Sequence, residues 1–269
     1  MDIDRRLVLR RVLQATTAGA LVALPALGRP RPVTHPVAHE QPAVVAAPAR
    51  PVPPEPPIVP RSDWQTPPDL PSIQYDRAVR AAFVHHTENP NTYRAKDVPD
   101  ILRAICRDHL ENRGWDDIGY NFLVDRFGTI YEGRAGGIDR PVVGAHTVGF
   151  NRETVGIAAI GTYSTGAEVP EPVVTAMAGL IAWKLGSYGN DPHGQYELTS
   201  TSSDSRFPVS TRHVFNAVSG HRDAFCTLCP GESLYAVLPQ ITDRAAAIQQ
   251  AAAAAAPAAT GPAAGPTRA

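Results

Sequence analysis

The sequence has little cysteine and little net charge. Three cysteines occur among 269 residues, and the formal net charge at pH 7 is −1. Three cysteines are too few for a disulfide scaffold, and an odd number leaves at least one outside any internal pair. Because the chain has no excess of positive charge, nucleic-acid binding is not indicated. The length allows one domain of about 170–200 residues with tails, or two small domains. The hydrophobic core of one such domain is large enough to be stable without disulfides or a structural metal.

Long hydrophobic runs are also absent. The most apolar stretch, residues 12–27, is interrupted by polar residues and a proline, and it falls short of the ~20 residues that a spanning helix needs. This stretch follows Arg5 and Arg6, so we interpret residues 1–28 as a twin-arginine-like export signal, cleaved after Gly28. A short membrane anchor or a basic surface helix is the alternative. Export predicts a secreted or cell-wall-associated protein, with no stable membrane insertion after signal removal.

Composition separates a predicted folded domain from its flanks. Residues 29–57 are rich in proline and alanine, and proline removes backbone donors, so we expect a semi-rigid extended linker there. Residues 251–269 are rich in alanine, proline and glycine and are predicted to form a disordered tail. The folded part is therefore expected at residues 58–250, as a single domain.

Hydrophobic periodicity predicts a mixture of strands and helices within this domain. Strands are predicted at residues 80–87 and 154–163, a hairpin at 120–133, and helices near 98–113, 170–186 and 232–249, the last kinked at Pro239. Interspersed helices with a hairpin are typical of an α/β or α+β layer fold. We predict the α/β class, with a central mixed β-sheet flanked by helices.

The segment GHRDAFCTLCPG, residues 220–231, concentrates potential metal ligands. It contains His221, Cys226 and Cys229, followed by a Pro-Gly pair that turns the chain. A catalytic zinc takes three protein ligands and leaves a fourth position for water. The spacing leaves open which cysteine would join His221. It also leaves open a closed structural site, in which Cys226 would be the fourth ligand.

A third ligand is expected from a strand end elsewhere in the chain. The segment VHHT provides His85 and His86 at the end of a predicted strand. Neighbouring residues of a strand point to opposite faces, so only one of these two histidines can bind the same metal. Spacing alone does not separate metal binding from the alternative that these histidines and cysteines are ordinary core residues with their hydrogen bonds made inside the protein.

The flanking segments resemble a known family. VHHT, GWDDIGYNFLVDRFGTIYEGR, VVGAHTVGFNRETVGIAAIG and SGHRDAFCTLCPG follow one another in this order. Together they resemble a peptidoglycan recognition protein domain, a family similar to zinc-dependent N-acetylmuramoyl-L-alanine amidases of the phage-lysozyme type. The resemblance covers nearly the whole predicted domain and excludes the tails. It implies an enzyme that binds Zn²⁺ and cuts the amide between muramic acid and the stem peptide of peptidoglycan.

The resemblance also implies site residues. It assigns His85, His221 and Cys229 to the metal, Tyr120 and Thr227 to catalysis, and His86, Arg134, His146 and Asn151 to substrate binding. The two catalytic hydroxyls are expected to donate hydrogen bonds to the developing oxyanion. No unambiguous proton shuttle is visible in the sequence. A monomer is expected, and a recognition module that binds peptidoglycan without cutting it is the alternative function.

Cys106 and Cys226 stand outside the family positions. An exported chain meets an oxidising compartment, so a Cys106–Cys226 disulfide is a hypothesis. Such a bridge would brace the loop that carries the cysteine ligand and would stabilise the fold by about 2–4 kcal/mol. Two separate thiols are the alternative.

Overall fold

The computed structural model describes residues 51–65 and 73–256. The predicted export signal, most of the predicted linker and residues 257–269 of the predicted tail lie outside the described residues. Their assignments, and the domain boundaries drawn from them, stay predictions. Within the linker, Pro53 is buried, and the last helix continues to Ala255.

Eight strands and five α-helices make up the described fold. The strands are β1 Ile58–Val59, β2 Ala81–His86, β3 Phe122–Val124, β4 Ile130–Glu132, β5 Thr154–Ala159, β6 Gln195–Thr199, β7 Arg212–Asn216 and β8 Val218–Gly220. The helices are α1 Val98–Arg107, α2 Glu171–Gly186, α3 His221–Ala224, α4 Glu232–Ala236 and α5 Leu238–Ala255. A π-helical turn, Asp108–Asn112, continues α1.

Six of the strands form one mixed sheet in the order β1-β4-β3-β5-β2-β8. Strands β3 and β4 are antiparallel, and the other neighbours are parallel. Every residue of β2 and of β5 is buried, which is typical of parallel strands covered on both faces. The predicted α/β class with a central mixed sheet is confirmed.

Helices cover the two faces of this sheet. Helices α2 and α5 pack with Val84, Val124 and Ile157 in one hydrophobic cluster. Helix α1 packs against the opposite face, with Leu102 beside Leu123 in a second cluster. Because side chains alternate along β2, His85 and His86 face opposite sides of the sheet.

Two predicted elements differ from the structure. Residues 232–255 form two helices separated at Val237, and Pro239 lies in the first turn of α5 rather than at a kink. A proline fits there because the first-turn N–H groups of a helix have no intrahelical partner. The second difference is the hairpin of β6 and β7, which was not predicted. Its strands are short and mostly exposed, and only Leu198 and Phe215 of the ribbon are buried, so the apolar signal is weak.

The predicted Cys106–Cys226 disulfide is absent, because all three cysteines belong to the described residues and all are free thiols. Helix α1 turns Cys106 inward, where it is buried beside Trp64, and its Sγ lies 3.7 Å from a guanidinium nitrogen of Arg61. Cys226 is exposed on the loop after α3. The hypothesis was therefore wrong for this structure.

No helix between residues 51–65 or 73–256 combines the length and the apolar character needed to cross a bilayer.

Candidate metal centre

Three of the predicted site residues converge at one end of strand β2. One ligand atom each of His85, His221 and Cys229 lies within 4.8 Å of the other two. His85 is the penultimate residue of β2, His221 begins α3 directly after the neighbouring strand β8, and Cys229 follows on the next loop. The parallel pairing of β2 with β8 therefore brings distant parts of the chain to one point.

His85 is held by neighbours on its far side. Its Nε2 lies 3.2 Å from Nδ1 of His146 and 3.4 Å from Oγ1 of Thr147, while its Nδ1 lies 3.7 Å from Sγ of Cys229. The ring nitrogen that is engaged by His146 and Thr147 cannot also be the ligand. Nδ1 is therefore the ligand atom that His85 presents, and a fixed second nitrogen is the usual device that orients a metal-binding histidine.

His221 presents a nitrogen that has no hydrogen-bond partner among the described residues. This atom, Nε2, is buried, and the ring stacks on Phe225 with centroids 5.4 Å apart. A buried polar atom without a hydrogen-bond partner destabilises the fold, and coordination to a metal ion would satisfy it. One ring nitrogen of His221 also lies within 4.8 Å of the donors of His85 and Cys229, so this imidazole is a candidate ligand.

The loop that carries Cys229 is fixed by hydrogen bonds from α3. The backbone N–H of Arg222 donates to the Cys229 carbonyl at 3.0 Å, and the Arg222 guanidinium donates to the Leu228 carbonyl at 2.9 Å. The next turn requires Gly231, whose φ is +87° and where a Cβ would collide with the Tyr163 carbonyl oxygen. The Pro-Gly turn thus sets the position of the sulfur.

Burial sets the charge state of the three donors. It lowers the pKa of His85 well below its usual value and lowers the pKa of His221 to about 4, so both imidazoles are neutral near pH 7. Burial also raises the pKa of the Cys229 thiol to about 12. The backbone N–H of His86 donates to this sulfur at 3.3 Å, which favours the thiolate. A divalent cation bound by the three donors would stabilise the Cys229 thiolate further.

The three donors fit zinc. Two neutral imidazole nitrogens and one sulfur are ligand types that zinc prefers, and three protein ligands leave a position for water or substrate. Cys226 does not belong to the group of converging ligand atoms among the described residues. The alternative of a closed structural site with Cys226 as fourth ligand therefore has no geometric support.

A cavity of about 420 Å³ opens beside these donors. It is lined by His221 and Cys229 and also by the two residues predicted to be catalytic, Tyr120 and Thr227. The Tyr120 ring lies 5.3 Å from that of His85, and burial raises its pKa, so its phenol stays protonated and can donate a hydrogen bond. The Thr227 hydroxyl accepts a hydrogen bond from the Cys229 N–H at 3.1 Å and keeps its own proton available.

The four residues predicted to bind substrate have different surroundings. His86 lines the cavity. His146 is buried against β5, where a Cβ on Gly156 would collide with its ring, and it orients His85. Asn151 accepts hydrogen bonds from the backbone N–H groups of residues 146 and 147, both at 2.8 Å. These contacts give His146 and Asn151 supporting roles that the sequence did not indicate; their contact with substrate stays a prediction.

Arg134 lies at the edge of the segment that carries Tyr120. Its guanidinium pairs with Asp116 at 2.6 Å and donates to the Ile118 carbonyl at 3.3 Å. Its side chain is 12% exposed, so the guanidinium is mostly occupied by these partners. A role of Arg134 in substrate binding stays a prediction.

Sequence reasoning missed two residues near the donors. Thr147 contacts His85, and its neighbour in the sequence, His146, was the only signal that pointed to this loop. Glu88 lines the cavity and has a φ of +61°, which is unusual for a residue other than glycine. Its position directly after VHHT was the available signal, but the backbone conformation could not be read from the sequence.

A mixed sheet covered by helices, with three potential metal ligands at one strand end, defines an α/β protein with a candidate metal centre. The sequence profile of the family described as N-acetylmuramoyl-L-alanine amidase matches residues 75–232. The chain belongs to this family, as its motifs indicated.

Relatives support the same family. A peptidoglycan-recognition protein of Drosophila simulans is 38% identical over 160 residues, which cover 59% of this chain and 84% of that protein. The N-acetylmuramoyl-L-alanine amidase of Sus scrofa is 32% identical over 163 residues, which cover 58% of this chain but only 22% of the pig protein. A solved structure of a Drosophila PGRP-LB mutant in complex with tracheal cytotoxin has a TM-score of 0.52 and 28% identity, covering 66% of this chain and 90% of that chain.

Proposed function

We propose that the protein is an exported, zinc-dependent N-acetylmuramoyl-L-alanine amidase. Its substrate would be peptidoglycan, and the bond cut would be the amide between the lactyl carbonyl of muramic acid and the L-alanine of the stem peptide. The observation that carries the proposal is the convergence of His85, His221 and Cys229 beside the cavity that Tyr120 lines. Membership of the amidase family and the tracheal-cytotoxin complex of a related structure support the substrate class.

Each site residue has a chemical role in this reaction. A zinc ion held by the three donors would polarise the scissile carbonyl and make water reactive near neutral pH. The hydroxyls of Tyr120 and Thr227 would donate hydrogen bonds to the oxygen on which negative charge develops. One such donor typically lowers the barrier by about 2.7–4 kcal/mol. His146 and Thr147 would keep the His85 ring in its ligating orientation.

The remaining assignments extend this proposal. Residues 1–28 would direct export, and the mature protein would act as a monomer on the cell wall. His86, Arg134, His146 and Asn151 would contact the muropeptide, directly or by shaping the loops around it. The four contact assignments can be tested by alanine variants in a muropeptide-binding assay that does not require cleavage.

A non-catalytic recognition module is the second candidate function. The similarity to the Drosophila simulans peptidoglycan-recognition protein over most of its length favours this alternative. The two candidates share peptidoglycan binding and differ in bond cleavage. Only the amidase creates a new lactyl carboxyl group and a new alanine amino group.

Mass spectrometry of muropeptides separates the two functions. The purified protein, loaded with zinc, is incubated with cell-wall fragments, and the expected products are free stem peptides and peptide-free glycan. A chelator should abolish cleavage and added zinc should restore it. His85→Ala should be inactive, whereas His193→Ala, at an exposed histidine paired with Asp243, should remain active. Zinc binding without a new lactyl carboxyl group or a new alanine amino group would favour the recognition module.

A further inference from the structure

We propose that Glu88 is the acid/base group of this site, oriented by His86. The inference rests on the proposed amidase function and names the proton carrier that the sequence did not reveal. Glu88 follows β2 and lines the same cavity as Tyr120, Thr227 and Cys229. Its carboxylate oxygen Oε1 lies 3.6 Å from Nε2 of His86.

The hydrogen bonds of His86 determine which of its nitrogens carries the proton. Nδ1 of His86 accepts a hydrogen bond from the backbone N–H of Tyr163 at 3.2 Å. A nitrogen that accepts a hydrogen bond carries no proton, so the ring is neutral and its proton is on Nε2. Nε2 is buried and, among the described residues, has no hydrogen-bond partner within the usual limit. The nearest acidic group is the Glu88 carboxylate, toward which this N–H can donate after a small movement.

The backbone of Glu88 is held in an unusual conformation. Its φ is +61°, in the left-handed region that residues other than glycine and asparagine seldom adopt. Its N–H donates to the Gly161 carbonyl at 2.9 Å, and the preceding Thr87 N–H donates to Ala159 at 3.1 Å. Residues kept in such conformations by their surroundings cluster at functional sites. Here the unusual conformation belongs to a residue that lines the cavity.

Glu88 is the uncommitted carboxylate of the cavity. The other lining carboxylate, Asp108, accepts hydrogen bonds from Asn112 at 2.9 Å and Arg113 at 3.1 Å. Within the described part of the chain, no cation pairs with Glu88; its nearest partner is the neutral His86 ring, and its side chain is 76% exposed. The titratable or charged groups that share the cavity with Glu88 are His86, Asp108, His109, Arg113, Tyr120, His221 and Cys229.

In the proposed reaction, one proton passes from water through Glu88 to the leaving nitrogen. The Glu88 carboxylate takes one proton from the attacking water, whose oxygen forms a bond to the lactyl carbonyl carbon while the carbonyl π pair moves to its oxygen. When this pair returns, the C–N bond breaks and its electrons stay on the alanine nitrogen. Glu88 then gives its proton to that nitrogen. The products are a lactyl carboxyl group and a free amine, and Glu88 is ionised again.

The test compares Glu88→Gln with Glu111→Gln, a control at an exposed glutamate on the π-helical turn that does not line the cavity. Zinc-loaded proteins are assayed for muropeptide cleavage, zinc stoichiometry and binding of an uncleaved muropeptide. Glu88→Gln should lower kcat by about 10²–10⁴-fold with KM and zinc content unchanged. Glu88→Asp should recover part of the activity.

Glu88→Gly separates catalysis from stability. Glycine adopts a positive φ without strain, so this variant should melt no lower than wild type and yet lose kcat as Glu88→Gln does. A kcat of Glu88→Gln within threefold of wild type would overturn the assignment, as would loss of zinc from either variant. A wild-type protein that binds muropeptide but never cleaves it would instead overturn the proposed function itself.

Discussion

Two buried polar clusters of this protein behave in opposite ways. Arg61 and Asp117, which are 3% and 1% exposed, form a two-pronged ion pair with distances of 2.6 and 3.0 Å. Asp117 also accepts hydrogen bonds from the backbone N–H groups of Ile118 at 2.7 Å and Ala135 at 2.9 Å. At the metal centre, by contrast, His221 Nε2 has no hydrogen-bond partner in the part of the chain that the structure describes.

The two clusters differ in how many buried polar atoms lack a hydrogen bond. Five buried side-chain nitrogen or oxygen atoms in the described residues lack a hydrogen bond, and three of them belong to residues that line the candidate cavity: His86, Asn89 and His221. Apart from Nε of Arg61, the polar atoms of this pair are hydrogen-bonded, and they join Arg61 to the Gly133 carbonyl and Asp117 to the backbone of residues 118 and 135. A cluster that satisfies itself supports the fold, whereas one that leaves atoms unpaired is prepared for a ligand.

The largest expected effect comes from removing a donor of the unsatisfied cluster. His221→Ala should lose stoichiometric zinc and reduce muropeptide cleavage by at least about 10³-fold, because metal catalysis contributes several kcal/mol to the barrier. The melting temperature of the metal-free variant should match that of metal-free wild type. Atomic absorption and calorimetry measure the two quantities. Retained zinc with retained cleavage would remove His221 from the site.

Breaking the satisfied cluster should have the opposite signature. Asp117→Asn leaves the buried Arg61 guanidinium without its countercharge, so the free energy of unfolding should fall by about 3–5 kcal/mol. Urea unfolding measures this change. The folded fraction should still bind zinc with wild-type stoichiometry.

The matched control for that change is an exposed ion pair. Asp100→Asn removes the partner of Arg103, where the aspartate is 81% exposed, and should cost at most about 1 kcal/mol. Equal losses for Asp117→Asn and Asp100→Asn would contradict the structural role of the buried pair.

A smaller effect is expected at His146, a buried residue that supports the candidate metal centre. His146 is buried and satisfied, yet it touches the donor His85. His146→Ala should weaken zinc affinity by about 10–100-fold, the usual effect of removing a residue that orients a ligand. Competition with a chromophoric chelator measures the dissociation constant. An unchanged affinity would limit His146 to substrate contact or packing.

The smallest expected effect separates the open site from a closed one. Cys226→Ser should leave zinc stoichiometry and affinity unchanged, because Cys226 is exposed and lies outside the converging donors. Cys229→Ser at the neighbouring cysteine position serves as the positive control and should lose zinc. If both variants lost zinc alike, the site would be a closed structural one.

The sequence predicted those parts of the fold whose local patterns are strong. The apolar run before His85 predicts the buried strand β2, and Gly128 marks the turn between β3 and β4. Helix α2 follows from its apolar content and its proline in the first turn. The β6–β7 hairpin was missed because each five-residue strand buries only one residue, Leu198 or Phe215, which leaves too short an apolar pattern to distinguish from a loop.

The candidate site divides in the same way. The sequence named His85, His221 and Cys229 through family resemblance, and the structure brings their ligand atoms together. It did not predict that His146 lies behind His85, or that Glu88 adopts a positive φ beside His86. Side-chain contacts between loops depend on how the strands carrying them are paired, and no local pattern encodes that pairing.

The amino-acid sequence by itself determined the family, the buried strands and the kinds of ligand available, because burial periodicity and side-chain chemistry are local properties. Tertiary structure decided which nitrogen of His85 faces the sulfur of Cys229, and that Cys106 and Cys226 remain apart. The physical reason is that β2 and β8 pair in parallel only in the folded sheet. That pairing places residues from distant parts of the chain within reach of one ion.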